Sequence, residues 1–80
     1  MEISMVNRYN YCPHCEKRIL FTIEMKDIDQ SQYPAPVYIL HKDDACNKIS
    51  TFYVDSLLRV SYKELEKKPG AIATIEARSL

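Results

Sequence analysis

The chain has 80 residues, with 11 basic and 11 acidic side chains, formal net charge zero, one glycine and three cysteines. That length bounds it to a single domain, 1–80, whose small core needs a staple such as a disulfide, a metal or a partner subunit. The neutral balance draws no phosphate backbone over distance, the odd cysteine count argues against a disulfide framework, and no apolar run approaches the ~20 residues that span a bilayer.

The N-terminal "MEISMVNRYN" carries an early acid and lacks the apolar stretch of a secretory leader. The expectation is a soluble cytoplasmic protein, where thiols stay reduced and metal binding is the commoner use of paired cysteines. Tyr9 to Tyr11 leads into Cys12-Pro13-His14-Cys15, a turn. "RILFTIEM" follows, with Ile19, Phe21, Ile23 and Met25 alternating against Leu20, Thr22 and Glu24. That period of two predicts a strand.

Lys26 to Pro36 reads as a polar loop, since Pro34 and Pro36 oppose a helix. Val37–His41 predicts a second strand, "KDDACNK" a polar turn, and Ile49–Asp55 a third strand ending near Ser56. Leu57–Tyr62 suits a fourth strand. Ser61 and Glu64 have capping-box spacing, which predicts a short helix over Tyr62–Lys68 unless the strand runs on through Tyr62. After Pro69 and Gly70, "AIATIEARSL" predicts a short C-terminal helix, although Ala73, Ile75 and Ala77 also alternate.

The cysteine pair serves two chemistries. A thiol–disulfide oxidoreductase of the CPHC type sets its first thiolate at a helix N-terminus. Here the residues after Cys15 alternate like a strand. A metal site instead needs two thiolates from one tight turn and a second pair from elsewhere. His41 and Cys46 flank the polar turn "HKDDAC" between two predicted strands, and they supply that pair. Cys12, Cys15, His41 and Cys46 are therefore the candidate ligands of a structural Zn2+, since four protein ligands leave no place for a catalytic water. Alternatives at the second pair are Cys46 as a small buried hydrophobe and His41 as a strand cap. His14 is a rival ligand. Glu16, Asp43 and Asp44 lie where they reach outer-shell hydrogen bonds or simply solvent.

No nucleophile–base or paired-carboxylate constellation stands out, and the single glycine leaves no phosphate loop. The six tyrosines fill a core, make a protein interface or stack on bases. Zero net charge favours the first two. "YPAP" at Tyr33–Pro36 reads as a rigid loop leading into a strand.

The pieces "CPHC", "FTIE", "PAPVYILH", the acidic turn with Cys46, and "FYVDSLLRVSY" resemble small stand-alone zinc-ribbon proteins, mostly archaeal and of unassigned role. The resemblance runs from Tyr11 to Tyr62. It implies a ribbon fold, an archaeal origin and Cys12, Cys15, His41 and Cys46 as ligands; a histidine is more usual where Cys46 stands. The reading as a whole is a mostly β, small α+β domain: a zinc-ribbon-like antiparallel sheet with two ligand turns and a short C-terminal helix. Its expected function is a non-enzymatic adaptor with a protein partner, including a second copy of itself, through an aromatic face or a strand edge. The alternatives are an accessory subunit of a transcription or ribosomal particle touching nucleic acid, and a thiol oxidoreductase.

Overall fold

Strands follow the alternation closely. In a computed structural model, which describes residues 4–80, they are β1 (Met5–Tyr11), β2 (Arg18–Glu24), β3 (Ala35–Lys42), β4 (Ile49–Val54), β5 (Val60–Glu64) and β6 (Thr74–Ser79). Glu2, the acid in the leader reading, lies outside the described residues. The strands form one mixed sheet in the order β1-β2-β6-β3-β4-β5. No helix among the described residues is long and apolar enough to cross a membrane.

Two hairpins, β1–β2 and β3–β4, are antiparallel, and β5 extends the second one. The last strand, β6, fills the gap between them. It runs antiparallel to β2 and parallel to β3, with Ile39 opposite Ile75 and His41 opposite Ala77. The expected mostly antiparallel sheet holds for every pairing but one, the parallel β3–β6 ladder. The expected C-terminal helix is corrected: "TIEARS" is a strand. Its helix-forming residues are overruled by pairing on both sides, since local propensity is a weak force against tertiary context. The predicted helix over Tyr62–Lys68 is likewise absent. The strand alternative holds, with Tyr62 opposite Tyr53 and Glu64 opposite Thr51.

Pro36 stands inside β3, a central strand, where a missing N–H would normally break a ladder. The pairing with β6 begins only at Tyr38. Pro36 therefore has a partner on the β4 side alone, Tyr53.

One face of the sheet is the core. Ile19, Phe21 and Ile23 of β2, Val37 and Ile39 of β3, Phe52 and Val54 of β4, and Ala77 of β6 are all buried there. The Phe21 and Phe52 rings meet edge-on at 5.6 Å. Leu58 joins them from the turn after β4, at a positive φ of 61°. The outer face is covered only in part. Thr51 Oγ1 donates to the Glu66 carbonyl at 2.6 Å and accepts the Lys68 N–H at 2.8 Å, which holds the 65–73 loop over β4.

The sheet curls until its two edge strands are bridged by side chains. Arg8 of β1 donates to the Leu58 carbonyl at 2.8 Å and the Leu57 carbonyl at 3.0 Å. Lys63 of β5 donates to Asn10 Oδ1 at 2.6 Å and the Tyr11 carbonyl at 2.8 Å. Burial at this seam pushes the Lys63 pKa down.

Candidate metal centre

The two hairpins end in turns of the same design. In each, the first candidate ligand closes the turn through its backbone: the Cys12 N–H donates to the Lys17 carbonyl at 2.8 Å, and the His41 N–H to the Lys48 carbonyl at 3.1 Å. In each, the second candidate is followed by a residue at positive φ, Glu16 at 64° and Asn47 at 54°. His41 thus stands where Cys12 stands, and Cys46 where Cys15 stands. The second turn is longer, and Asp43 braces it: Oδ1 accepts the Ala45 N–H at 2.8 Å and its carbonyl accepts the Cys46 N–H at 2.9 Å.

The curl brings these turns together. The Sγ atoms of Cys12, Cys15 and Cys46 and a ring nitrogen of His41 all lie within 4.8 Å of one another, close enough to hold a metal ion. Cys12 Sγ is 3.7 Å from Cys46 Sγ, and Cys15 Sγ is 3.4 Å from His41 Nδ1. A tetrahedral zinc with ~2.3 Å bonds to sulfur and ~2.0 Å to nitrogen has sulfur–sulfur edges of about 3.8 Å and sulfur–nitrogen edges of about 3.5 Å. Both observed spacings match. They do not suit a disulfide, whose sulfurs sit ~2.05 Å apart, and all three cysteines are free.

No protein-family model matches the chain, and comparison with curated proteins and with solved structures gives no match. The site is therefore read from its own chemistry.

Cys12 and His41 are buried, while Cys15 and Cys46 are partly accessible. The Lys17 backbone N–H beside Cys15 holds that thiol below its usual range, and burial pushes Cys46 up. Metal binding requires thiolates, so of these two Cys15 is the more readily prepared for it.

His41 is fixed from behind. With Nδ1 turned to the thiols, Nε2 lies 2.6 Å from Ser79 Oγ, and Ser79 Oγ donates to Asp43 Oδ2 at 2.7 Å. Lys17 Nζ approaches the same carboxylate oxygen at 3.3 Å. The directions agree along the whole chain: Nε2–H donates to Ser79, Ser79 to Asp43, and the carboxylate accepts. This is the arrangement that orients a metal-binding imidazole. Asp43 is held down to about 2 by the Ser79 hydroxyl first, then by the Ala45 N–H.

His14 is not in the cluster. Its Nε2 is 2.9 Å from the Ile49 carbonyl, tying the first turn to the start of β4. The element that follows Cys15 is the strand β2 rather than a helix. Ser79 was not among the sequence candidates. The signal for it was present in the alternation: continued by two residues, the face of Ile75 and Ala77 arrives at Ser79.

Proposed function

We propose that the chain is a zinc-stabilised, non-enzymatic interaction module of the zinc-ribbon type. The observation that carries this reading is the convergence of three thiols and one imidazole nitrogen within 4.8 Å. Thiolate and imidazole donors suit zinc over the harder ions that prefer oxygen. Four protein donors complete the shell, so the metal supplies stability rather than a site for reacting water. The two turns sit far apart in sequence, and one ion crosslinks both hairpins of a small core. The resemblance of "CPHC" and the His41/Cys46 turn to zinc-ribbon proteins supports the same reading.

The working surface of such a module is its sheet face. Docking on a strand edge is disfavoured because Arg8 and Lys63 cross between β1 and β5. The outer face instead carries accessible aromatic side chains, Tyr9, Tyr11 and Tyr62 among them.

Elemental analysis of the purified protein is expected to show one zinc per chain. A chelator, or Cys12→Ser, is expected to abolish the cooperative melt. A folded, metal-free protein with an unchanged melting curve would overturn the proposal.

A further inference from the structure

Strand register gathers side chains that the sequence scatters. Tyr9 of β1 is opposite Leu20 of β2, Leu20 is opposite Arg78 of β6, and Arg78 is opposite Lys42 of β3. One step closer to the turns, Tyr11 is opposite Arg18. All of these lie on the outer face, because their sequence neighbours Ile19, His41 and Ala77 are buried on the inner one.

Tyr9 and Tyr11, at two successive outward positions of β1, are 61% and 55% exposed. Arg18, Lys42 and Arg78 are exposed too. None of these three has an ion-pair partner among the described residues, whereas Lys17, Lys26, Arg59 and Lys68 do. The nearest acid on this face is Glu76, one step further down β6 and opposite Leu40. A chain of zero net charge therefore presents three cations without ion-pair partners and one acid beside two exposed tyrosines, Tyr11 with Lys63 Nζ 5.8 Å from its ring centroid.

Rings interleaved with unpaired cations are the chemistry of single-stranded nucleic acid: bases stack on the rings and cations neutralise phosphates. A broad four-strand face does not enter the major groove of a duplex, which admits a helix or a two-stranded ribbon. An unpaired strand can lay its bases flat on such a face. We propose that the outer face of β1-β2-β6-β3 binds single-stranded nucleic acid, with Tyr9 and Tyr11 stacking bases and Arg18, Lys42 and Arg78 holding phosphates. This rests on the interaction-module reading and names its partner. Zero total charge argued against such a partner at the level of sequence; register gathers three cations on this one face, with Glu76 beside them.

The test is fluorescence anisotropy of the zinc-loaded full chain with a labelled oligothymidylate of roughly 10 nucleotides, within the usual site sizes. Binding is expected at low salt and weakens as salt rises, with a logarithmic slope of about 2 for three phosphate contacts. Arg18→Glu with Arg78→Glu should weaken binding more than about tenfold and flatten that slope. Tyr9→Ala with Tyr11→Ala should also cost more than about tenfold but leave the slope in place. Lys26→Ala, in the turn beyond the far end of β2, should change nothing.

Absence of binding at low salt, or indifference to the charge reversals, would overturn the proposal. So would competition by polyglutamate as strong as that by the oligonucleotide, which would assign the face to an acidic protein. Zinc content and melting of the same samples report on the metal separately. A folded, zinc-loaded protein that ignores the oligonucleotide defeats this inference and leaves the metal reading standing.

Discussion

Ser79 Oγ lies 2.6 Å from His41 Nε2, so the last strand of the chain is latched to a candidate ligand. The same hydroxyl reaches Asp43 Oδ2 at 2.7 Å, and nothing else in the network connects the imidazole to the carboxylate by short hydrogen bonds. Ser79→Ala would leave a buried imidazole N–H without an acceptor, which costs ~1–3 kcal/mol of stability. It would also free the ring to rotate, and zinc affinity should fall by ~10–100-fold. Competition against a chromogenic chelator reads the affinity directly. If affinity and melting both stay at the parent values, Ser79 has no part in the site.

The seam between β1 and β5 gives a second prediction. Arg8 makes two charged hydrogen bonds to the carbonyls of Leu57 and Leu58, at 3.0 and 2.8 Å, and no backbone ladder duplicates them. Arg8→Met keeps the aliphatic stem and removes both bonds. Because the group is partly solvated, the loss should be ~1–2 kcal/mol, toward the lower end for charged donors. Hydrogen exchange should quicken in β1 (Met5–Tyr11) and in the turn at Leu57 and Leu58, while β3 amides stay protected. Uniform exchange changes across the sheet would show that Arg8 does not close the seam.

What the sequence discloses and what it hides follows from how local each signal is. The hairpins were legible because period two over Arg18–Glu24 and Val37–His41 is written in consecutive residues. The candidate ligands were legible because Cys12 with Cys15, and His41 with Cys46, flank turns whose polar residues announce them. β6 was not, because Ala, Glu and Arg favour a helix and only the strands on either side make it extended. Its place between β2 and β3 is a long-range fact that no local window contains. The Ser61–Glu64 spacing misled for a related reason: a capping box says what an isolated end would prefer, and β4 offered Tyr62 a stacked partner in Tyr53, with ring centroids 4.3 Å apart. Arg18, Lys42 and Arg78 were visible one by one, but their grouping is a property of register.

Acid sensitivity should include a contribution from Asp55. Its carboxylate accepts the Arg59 and Leu57 N–H groups, each at 2.9 Å, and pairs with the Arg59 guanidinium at 2.9 Å. The Arg59 backbone N–H is the largest of the influences that hold its pKa below the usual carboxylate range. A depressed folded-state pKa means that the unfolded chain takes up the proton first. The contribution is therefore complete above the unfolded value of ~3.9 and fades as pH falls from there toward the folded pKa. Asp55→Asn keeps the turn's acceptor oxygen but cannot titrate. Urea midpoints of parent and variant, compared from pH 6 downward, should stay apart to about pH 4 and draw together only below it, since any loss from metal release is common to both. A gap that stays constant with pH would remove Asp55 from the acid response.

Gly70 tests whether a backbone conformation or a packing contact limits the loop into β6. Its φ is +108°, a region that L side chains avoid. A Cβ built there would meet Pro36 Cγ at 3.6 Å, an ordinary contact with room to spare. The cost of Gly70→Ala must then come from the backbone, at ~1–3 kcal/mol. Part of the entropy gained by restricting the unfolded chain offsets it. The loop is not free to adapt, because the Ala73 carbonyl accepts the Tyr38 N–H at 3.1 Å and the Lys68 N–H is held by Thr51 at 2.8 Å. A lower urea midpoint is therefore expected for Gly70→Ala. A synthetic chain with D-alanine at the same position, which favours positive φ, should match or exceed the parent. If L- and D-alanine chains unfold at the same midpoint, the positive φ is not what holds the loop.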